Sequence, residues 1–175
     1  MNITIRKAQA QDLDAVAGIY ANIHTAEEQG LACIGWQRGV YPERATAEAA
    51  LLCGDLFVEE LDGHVAGTAI LNQVQMDVYA GAPWQHSAPD DRVMVMHTLV
   101  VDPLAPRCGL GRAMVSFYER YALVQGCPYL RMDTNVKNRN ARRFYAGLGF
   151  REIVQVPCAF NGLSDVTLVL LEKKL

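Results

Sequence analysis

The most informative segment of the chain is residues 93–112, which reads VMVMHTLVVDPLAPRCGLGR. Its apolar, β-branched beginning ends at Val101 and breaks at Asp102-Pro103, which predicts a buried β-strand followed by a loop. The glycines of residues 107–112 then lead into a helical pattern. Glycine lets backbone N–H groups approach a ligand closely, and the helix dipole favours negative charge at this point. The segment therefore predicts a site for a phosphate or pyrophosphate group, flanked by Arg107 and Arg112.

This turn differs from two common phosphate-binding motifs. A P-loop would end in Gly-Lys-Ser/Thr, which is absent here. A dinucleotide-binding fingerprint would need a third glycine where Met114 stands, so a dinucleotide-dependent enzyme is disfavoured. A helix cap without a ligand is the remaining alternative, and the turn alone does not exclude it.

A second block, residues 138–150, reads NRNARRFYAGLGF. Together the two blocks resemble the GNAT superfamily of acyl-CoA-dependent N-acyltransferases. Members carry Leu-x-Val-x-Pro, a (Gln/Arg)-x-x-Gly-x-(Gly/Ala) turn, then Asn-x-x-Ala-x-x-x-Tyr and a closing Gly-Phe. The matching residues are Leu99, Val101, Pro103, Gly109, Gly111, Asn138, Ala141, Tyr145, Gly149 and Phe150. The resemblance covers about residues 93–155, and it departs from the family at Pro106, which occupies the leading Gln/Arg position.

The resemblance implies the fold, the cofactor and the residues that bind it. We expect one N-acetyltransferase domain over residues 1–175, an α/β fold whose mixed, mostly antiparallel sheet has splayed central strands and flanking helices. Acetyl-CoA would be the co-substrate, with its pantetheine arm paired to the strand end and its pyrophosphate in the turn. The implied cofactor-binding residues are Leu99, Val100, Val101, Arg107, Cys108, Gly109, Leu110, Gly111, Arg112, Asn138 and Ala141.

Hydrophobic periodicity predicts the other elements of the chain. Strands are expected at residues 2–7, 56–61, 64–74, 94–101, 129–133, 150–156 and 165–172. Helices are expected from Asp12 onward and at residues 43–53, 109–124 and 140–148. Residues 30–42 predict a structured loop, and the polar residues 75–92 predict a long, exposed connection.

Composition limits the functional classes. The 175 residues are 51% hydrophobic and 20% charged, which is ordinary for one globular domain. A net charge of -3 gives no basic excess for nucleic acid, and no apolar run is long enough to span a membrane. Five widely spaced cysteines and four scattered histidines predict reduced thiols in a cytoplasm and no metal site. The sequence does not decide between a monomer and a homodimer.

Tyr145 is the first candidate for catalysis. It stands seven positions after Asn138, where the resemblance implies the tyrosine that gives a proton to the coenzyme A thiolate. The pKa of a phenol, near 10, suits that role. The alternative is that Tyr145 only packs its helix on the sheet.

The general base has two candidates. Asp133 matches the carboxylate position of bacterial ribosomal-protein alanine N-acetyltransferases, and His97 matches a histidine of serotonin N-acetyltransferase. Histidine titrates near neutrality, which suits proton transfer from an amine. Val95 stands where histone acetyltransferases of the family place a glutamate. His97 as a hydrogen-bonded core residue, Asp133 as a turn cap, and a water chain without a single base remain alternatives.

The acceptor is expected to be the amine of a small molecule. Four aromatic residues in the predicted loops, Trp36, Tyr41, Tyr79 and Trp84, are candidates for contact with it, although each could instead cover the core. The leading hypothesis is an N-acetyltransferase for a primary amine. The alternatives are a non-catalytic acyl-CoA sensor and an acetyltransferase for protein N-termini or lysines.

Overall fold

Seven strands and four α-helices follow one another in the computed structural model, which describes residues 1–175. The strands are β1 (Ile3–Lys7), β2 (Leu56–Leu61), β3 (His64–Asn72), β4 (Val93–Val101), β5 (Tyr129–Asn135), β6 (Arg151–Phe160) and β7 (Leu163–Lys174). The helices are α1 (Leu13–Glu28), α2 (Arg44–Leu52), α3 (Leu110–Val124) and α4 (Arg139–Ala146). None of the helices is long and apolar enough to cross a membrane.

All seven strands form one sheet in the order β1-β2-β3-β4-β5-β7-β6. Every neighbouring pair is antiparallel except β4 and β5, which are parallel. The predicted mixed, mostly antiparallel sheet is therefore confirmed.

The two parallel strands separate after a short contact. They pair only from Val93 opposite Tyr129 to Val95 opposite Arg131, although both strands continue further. A β-bulge bends β4 beyond this point: its register with β3 shifts between Thr68 and Ile70, and Thr98 adopts a left-handed φ of 52°. The predicted splaying of the central strands is confirmed, and the bulge supplies a physical cause for it.

The two faces of the sheet are covered differently. Helix α3 packs on one face, where Phe57, Met96 and Tyr118 belong to a cluster of 15 buried residues. The opposite face is shared. Helices α1 and α2 cover one part of it, and residues 75–92 cover the part around Val93 and Val95.

The prediction that residues 75–92 are exposed holds only in part: ten of the 18 residues are exposed, whereas the others are at least partly buried. Tyr79 is only 3% exposed and belongs to the core that this connection forms on the sheet. A buried ion pair of Arg131 with Glu172, 3.4 Å apart, holds the connection in place. Glu172 accepts the backbone N–H of Gln85 at 3.0 Å, and Arg131 donates to the carbonyl of His86 at 3.0 Å. Polar groups of the connection thus bind buried charged side chains of the sheet, in addition to solvent.

Candidate active site

A cavity of about 300 Å³ lies at the diverging ends of β4 and β5. Its walls come from the loop after α1, from β3, β4 and β5, from α4, and from the hairpin of β6 and β7. All three sequence-predicted catalytic residues, Tyr145, His97 and Asp133, line this one cavity. The split in the sheet therefore brings together side chains that are up to 48 positions apart in the sequence, from residue 97 to residue 145.

Asp133 is the only carboxylate in the cavity wall. One of its oxygens accepts a hydrogen bond from the Tyr79 hydroxyl at 2.7 Å. Burial raises the pKa of Asp133 to about 6, while the hydrogen bond from Tyr79 acts in the opposite direction. Asp133 is consequently ionised at neutral pH and is a stronger base than an ordinary aspartate.

Tyr145 lies on α4 and is 8% exposed. Its ring packs edge-on against Phe150 with 5.8 Å between the centroids. Its hydroxyl makes no hydrogen bond within the protein, and burial together with the charge of Asp133 raises the pKa of Tyr145 above its ordinary value. Tyr145 is therefore protonated at neutral pH with a hydroxyl free of protein partners, although the raised pKa makes it a weaker proton donor than the ordinary phenol expected from the sequence.

His97 lies on β4, across the split from Asp133. Its Nε2 is 2.9 Å from Oδ1 of Asn72, and that oxygen also accepts the backbone N–H of Val74 at 3.0 Å. Oδ1 is an acceptor, so Nε2 of His97 donates. Burial lowers the pKa of His97 to about 4. The titration near neutrality that the residue type suggested is therefore displaced, and His97 is neutral at pH 7.

The four aromatic residues proposed for acceptor contact divide into two pairs. Trp36 and Tyr41 line the cavity and pack edge to face at 5.8 Å, and the Tyr41 hydroxyl hydrogen-bonds the side chain of Thr98 at the bulge. Tyr79 and Trp84 do not line it. Tyr79 reaches Asp133 from the buried connection, and Trp84 packs against Tyr79 at 5.4 Å, so the structure differs from the predicted position of this pair at the rim.

Sequence reasoning missed several residues of the cavity wall. Thr98 anchors Tyr41 at the bulge, and nothing in the sequence indicates a left-handed threonine. Phe160 and Leu163 close another side. Their position had a detectable signal, because Asn161-Gly162 is the dipeptide most typical of a tight β-hairpin turn.

A groove of about 970 Å³ runs along the glycine-rich turn between β4 and α3. Gly109 is the N-cap of α3 with φ of 92°, and a Cβ there would meet no atom within 4 Å. At Gly111 a Cβ would lie 3.4 Å from Phe144, so this glycine also permits packing against α4. The turn thus presents an open concave backbone at a helix N-terminus, the arrangement that suits a pyrophosphate.

The predicted cofactor residues are distributed over both the cavity and the groove. Leu99, Asn138 and Ala141 line the cavity. The groove is lined by Val101, Arg107, Cys108, Gly109, Leu110 and Gly111. The remaining two, Val100 and Arg112, line neither, and Val100 is buried against α1 and α2.

Asn138 also has a structural role. It is the N-cap of α4, and its Oδ1 accepts the backbone N–H of Ala141 at 3.0 Å. The cap fixes the first turn of the helix that carries Tyr145.

No group of three or more His, Cys, Asp or Glu side chains is arranged to hold a metal ion.

Known proteins resemble this chain in both sequence and fold. It is 25% identical over 170 residues to an uncharacterized N-acetyltransferase of Methanocaldococcus jannaschii, covering 97% of this chain and 91% of that one. It is 27% identical over 133 residues to an aminoglycoside N(6')-acetyltransferase type 1 of Klebsiella aerogenes, covering 72% and 82%. In fold it matches yncA of Salmonella typhimurium, solved with its cofactor acetyl-CoA, with a TM-score of 0.70, 22% identity, and coverage of 100% and 95%.

The match to one family model covers most of the chain. The model of the acetyltransferase (GNAT) family matches residues 20–150, which include the second half of α1, all of α2, the split between β4 and β5, the glycine-rich turn and α4. These elements build the groove and most of the cavity wall, whereas the β6–β7 hairpin, which closes one side of the cavity, lies beyond the match. The protein belongs to the GNAT family of acetyltransferases.

Proposed function

We propose that this protein transfers the acetyl group of acetyl-CoA to a primary amine of a small molecule, by direct attack in a ternary complex. The observation that carries the proposal is the joint presence of Asp133 and Tyr145 in the wall of one cavity at the split of the sheet. One is ionised at neutral pH and the other is a neutral phenol. A base and a proton donor are the two groups that amine acetylation needs.

The groove at the glycine-rich turn fits the nucleotide end of acetyl-CoA. Gly109 offers backbone N–H groups at the α3 N-terminus, and Arg107 adds a positive charge in the groove wall. The end of β4 connects the two spaces, because Leu99 lines the cavity and Val101 lines the groove. A molecule with its phosphates in the groove can therefore extend its other end along β4 into the cavity.

The reaction follows from these positions. Asp133 accepts a proton from the ammonium of the acceptor, and the free amine nitrogen attacks the thioester carbon. Backbone N–H groups at the end of β4 stabilise the oxyanion. The C–N bond forms, the C–S bond breaks, and the Tyr145 hydroxyl protonates the departing thiolate. The second amine proton restores Tyr145, and Asp133 releases its proton to water.

Two alternatives have less support. A non-catalytic sensor of acyl-CoA needs neither an unpartnered phenol nor an ionised carboxylate in its cavity. An acetyltransferase for protein N-termini or lysines would have to place a polypeptide in a cavity at the lower end of the volumes typical of small-ligand sites. The five free cysteines suit a reducing cytoplasm as the place of action.

The proposal is tested by acetyl-CoA binding and by thiol release. Acetyl-CoA should raise the Tm, and Gly109→Ala should reduce that shift because a Cβ intrudes on the phosphate turn. Gly126→Ala is the matched control, since Gly126 has φ of 76° and equally open surroundings but lies outside the groove. Coenzyme A release is then measured with a panel of primary amines, an aminoglycoside and a peptide. Acetyl-CoA binding without thiol release from any of these would refute the proposed transfer.

A further inference from the structure

The cavity holds one charge at neutral pH. Of its 23 lining residues, Asp133 is the only acid, and none is lysine or arginine. His97, with its pKa lowered to about 4, is neutral. One carboxylate, partly withdrawn from water, can neutralise one ammonium group of an acceptor.

Fourteen of the 23 lining residues are hydrophobic, and the polar ones besides Asp133 carry no charge at neutral pH. Trp36 and Tyr41 form one wall, with their rings 5.8 Å apart, and Phe160 and Leu163 lie in the wall formed by the β6–β7 hairpin. Aromatic faces attract ammonium groups, and apolar walls favour an apolar body. Since the acyl end of acetyl-CoA would enter the same cavity of about 300 Å³, the space that is left suits a compact acceptor.

A second charge on the acceptor would have no partner. A carboxylate, as on an amino acid, would lie near Asp133 with no cation in the wall to offset the repulsion. A second ammonium group inside the cavity, as on a diamine or an aminoglycoside, would find no second carboxylate in the wall. Burying an unpaired charge carries a large desolvation penalty, which is enough to exclude a substrate class.

We infer that the acceptor is a compact monoamine: a single primary ammonium on an uncharged, apolar body, with amino acids and polyamines rejected. The inference rests on the proposed acetyl transfer and names the chemical class of its acceptor. The lone charge of Asp133 selects the ammonium, and the walls built by Trp36, Tyr41, Phe160 and Leu163 select the body.

Matched acceptors test the rejection of charge directly. 2-Phenylethylamine, phenylalaninamide and phenylalanine differ at one substituent, which is a hydrogen, a neutral amide or a carboxylate. We expect kcat/KM for phenylalanine to be at least about 100-fold below that for phenylalaninamide. Hexylamine should exceed 1,6-diaminohexane by about tenfold. Binding of the same compounds to the coenzyme A complex is followed by the shift in Tm, so that the comparison does not depend on turnover.

A variant that supplies the missing cation sharpens the test. Leu163→Lys adds a positive charge to the cavity wall. It should raise kcat/KM for phenylalanine relative to 2-phenylethylamine at least about tenfold. Leu163→Gln is the matched control, which adds polarity without charge and should leave that ratio unchanged.

Each outcome decides between the two claims. Equal use of phenylalanine and phenylalaninamide overturns the inference, and so does a preference for kanamycin or a peptide N-terminus, although thiol release with either would support the acetyl transfer itself. If no acceptor releases thiol, the acetyl transfer fails. In that case binding of 2-phenylethylamine without binding of phenylalanine still supports the selectivity of the cavity, and binding of neither overturns it.

Discussion

The ends of β4 and β5 face each other across the split, and each carries a candidate base. His97 on β4 and Asp133 on β5 line the same cavity, and both are shifted chiefly by burial. Burial favours the uncharged form of each group, so it lowers the pKa of the histidine to about 4 and raises that of the aspartate to about 6. The same cause weakens one base and strengthens the other. Position in the cavity therefore does not distinguish the two candidate bases, whereas the directions of their pKa shifts favour Asp133.

The hydrogen bonds of the two residues reinforce this contrast. His97 Nε2 is bonded to Asn72, whose amide in turn donates to Asp55 at 3.0 Å, which suits a structural histidine. Asp133 accepts one hydrogen bond from the protein, that of Tyr79, and is left with acceptor capacity for an ammonium.

Asp133→Asn should have the largest effect. It keeps the size of the side chain and removes the base, so kcat/KM should fall by about 1,000-fold at pH 7.5 with a monoamine acceptor. Steady-state kinetics with saturating acetyl-CoA measure the loss. A loss below about threefold would remove Asp133 from the mechanism.

The stability of the same variant shows whether its fold is intact. The pKa of Asp133 is about 6 in the folded protein and 3.8 as its ordinary value, so the folded state holds this proton more tightly. That contribution to stability is complete below about pH 4 and is lost as pH rises through 6. Asp133→Asn should therefore have a higher Tm than the wild type at pH 7.5, with the advantage shrinking toward pH 5. A lower Tm at pH 7.5 would show that the carboxylate is needed structurally.

Tyr145→Phe should lower kcat by about 100-fold, because the thiolate loses its proton donor while the ring still packs against Phe150. Affinity for acetyl-CoA, measured by calorimetry, should change little. Tyr20→Phe is the control: Tyr20 is also buried and its hydroxyl also lacks a partner, but it lies outside the cavity. An equal fall in kcat in the two variants would show that the loss in Tyr145→Phe comes from altered packing and not from a missing proton donor.

Tyr79→Phe tests whether the connection of residues 75–92 influences the candidate base Asp133. Its hydroxyl lowers the pKa of Asp133, so removing it should raise that pKa above about 6 and shift the acidic limb of the pH–rate profile to higher pH. At pH 6.5 activity should fall several-fold, and at pH 8.5 it should approach the wild-type rate. An unchanged profile would show that Tyr79 does not influence Asp133.

His97→Gln should have the smallest effect, about twofold or less in kcat/KM at every pH from 6 to 9. Glutamine retains an N–H donor for Asn72 and cannot titrate. A loss comparable to that of Asp133→Asn would instead indicate that His97 on β4 is the general base.

Local motifs predicted much of this arrangement. The glycine-rich turn at the start of α3 was predicted from a short segment of sequence, because its role depends on backbone neighbours, whereas the left-handed φ of Gly109 and the cap formed by Asn138 are findings of the structure. Asp133, His97 and Tyr145 were found because each occupies a fixed position relative to those segments, and the structure places all three in one cavity.

Long-range features escaped prediction. Arg131 and Glu172 are 41 positions apart, and only the fold shows that their buried pair holds residues 75–92 on the sheet. The hydrogen bond from Tyr79 to Asp133 follows from that contact, as does the packing of Trp84 on Arg131 at 4.2 Å. The same holds for the pKa of His97 and Asp133, since burial depends on what packs around a residue rather than on the residue type.

The pH dependence of kcat/KM with a monoamine acceptor tests the central claim most directly. The wild type should show an acidic limb with an apparent pKa near 6, because Asp133 must be ionised to accept the ammonium proton. The limb should be retained in His97→Gln and absent from the residual activity of Asp133→Asn. A limb that survives in Asp133→Asn, or that disappears in His97→Gln, would contradict the assignment of Asp133 as the general base.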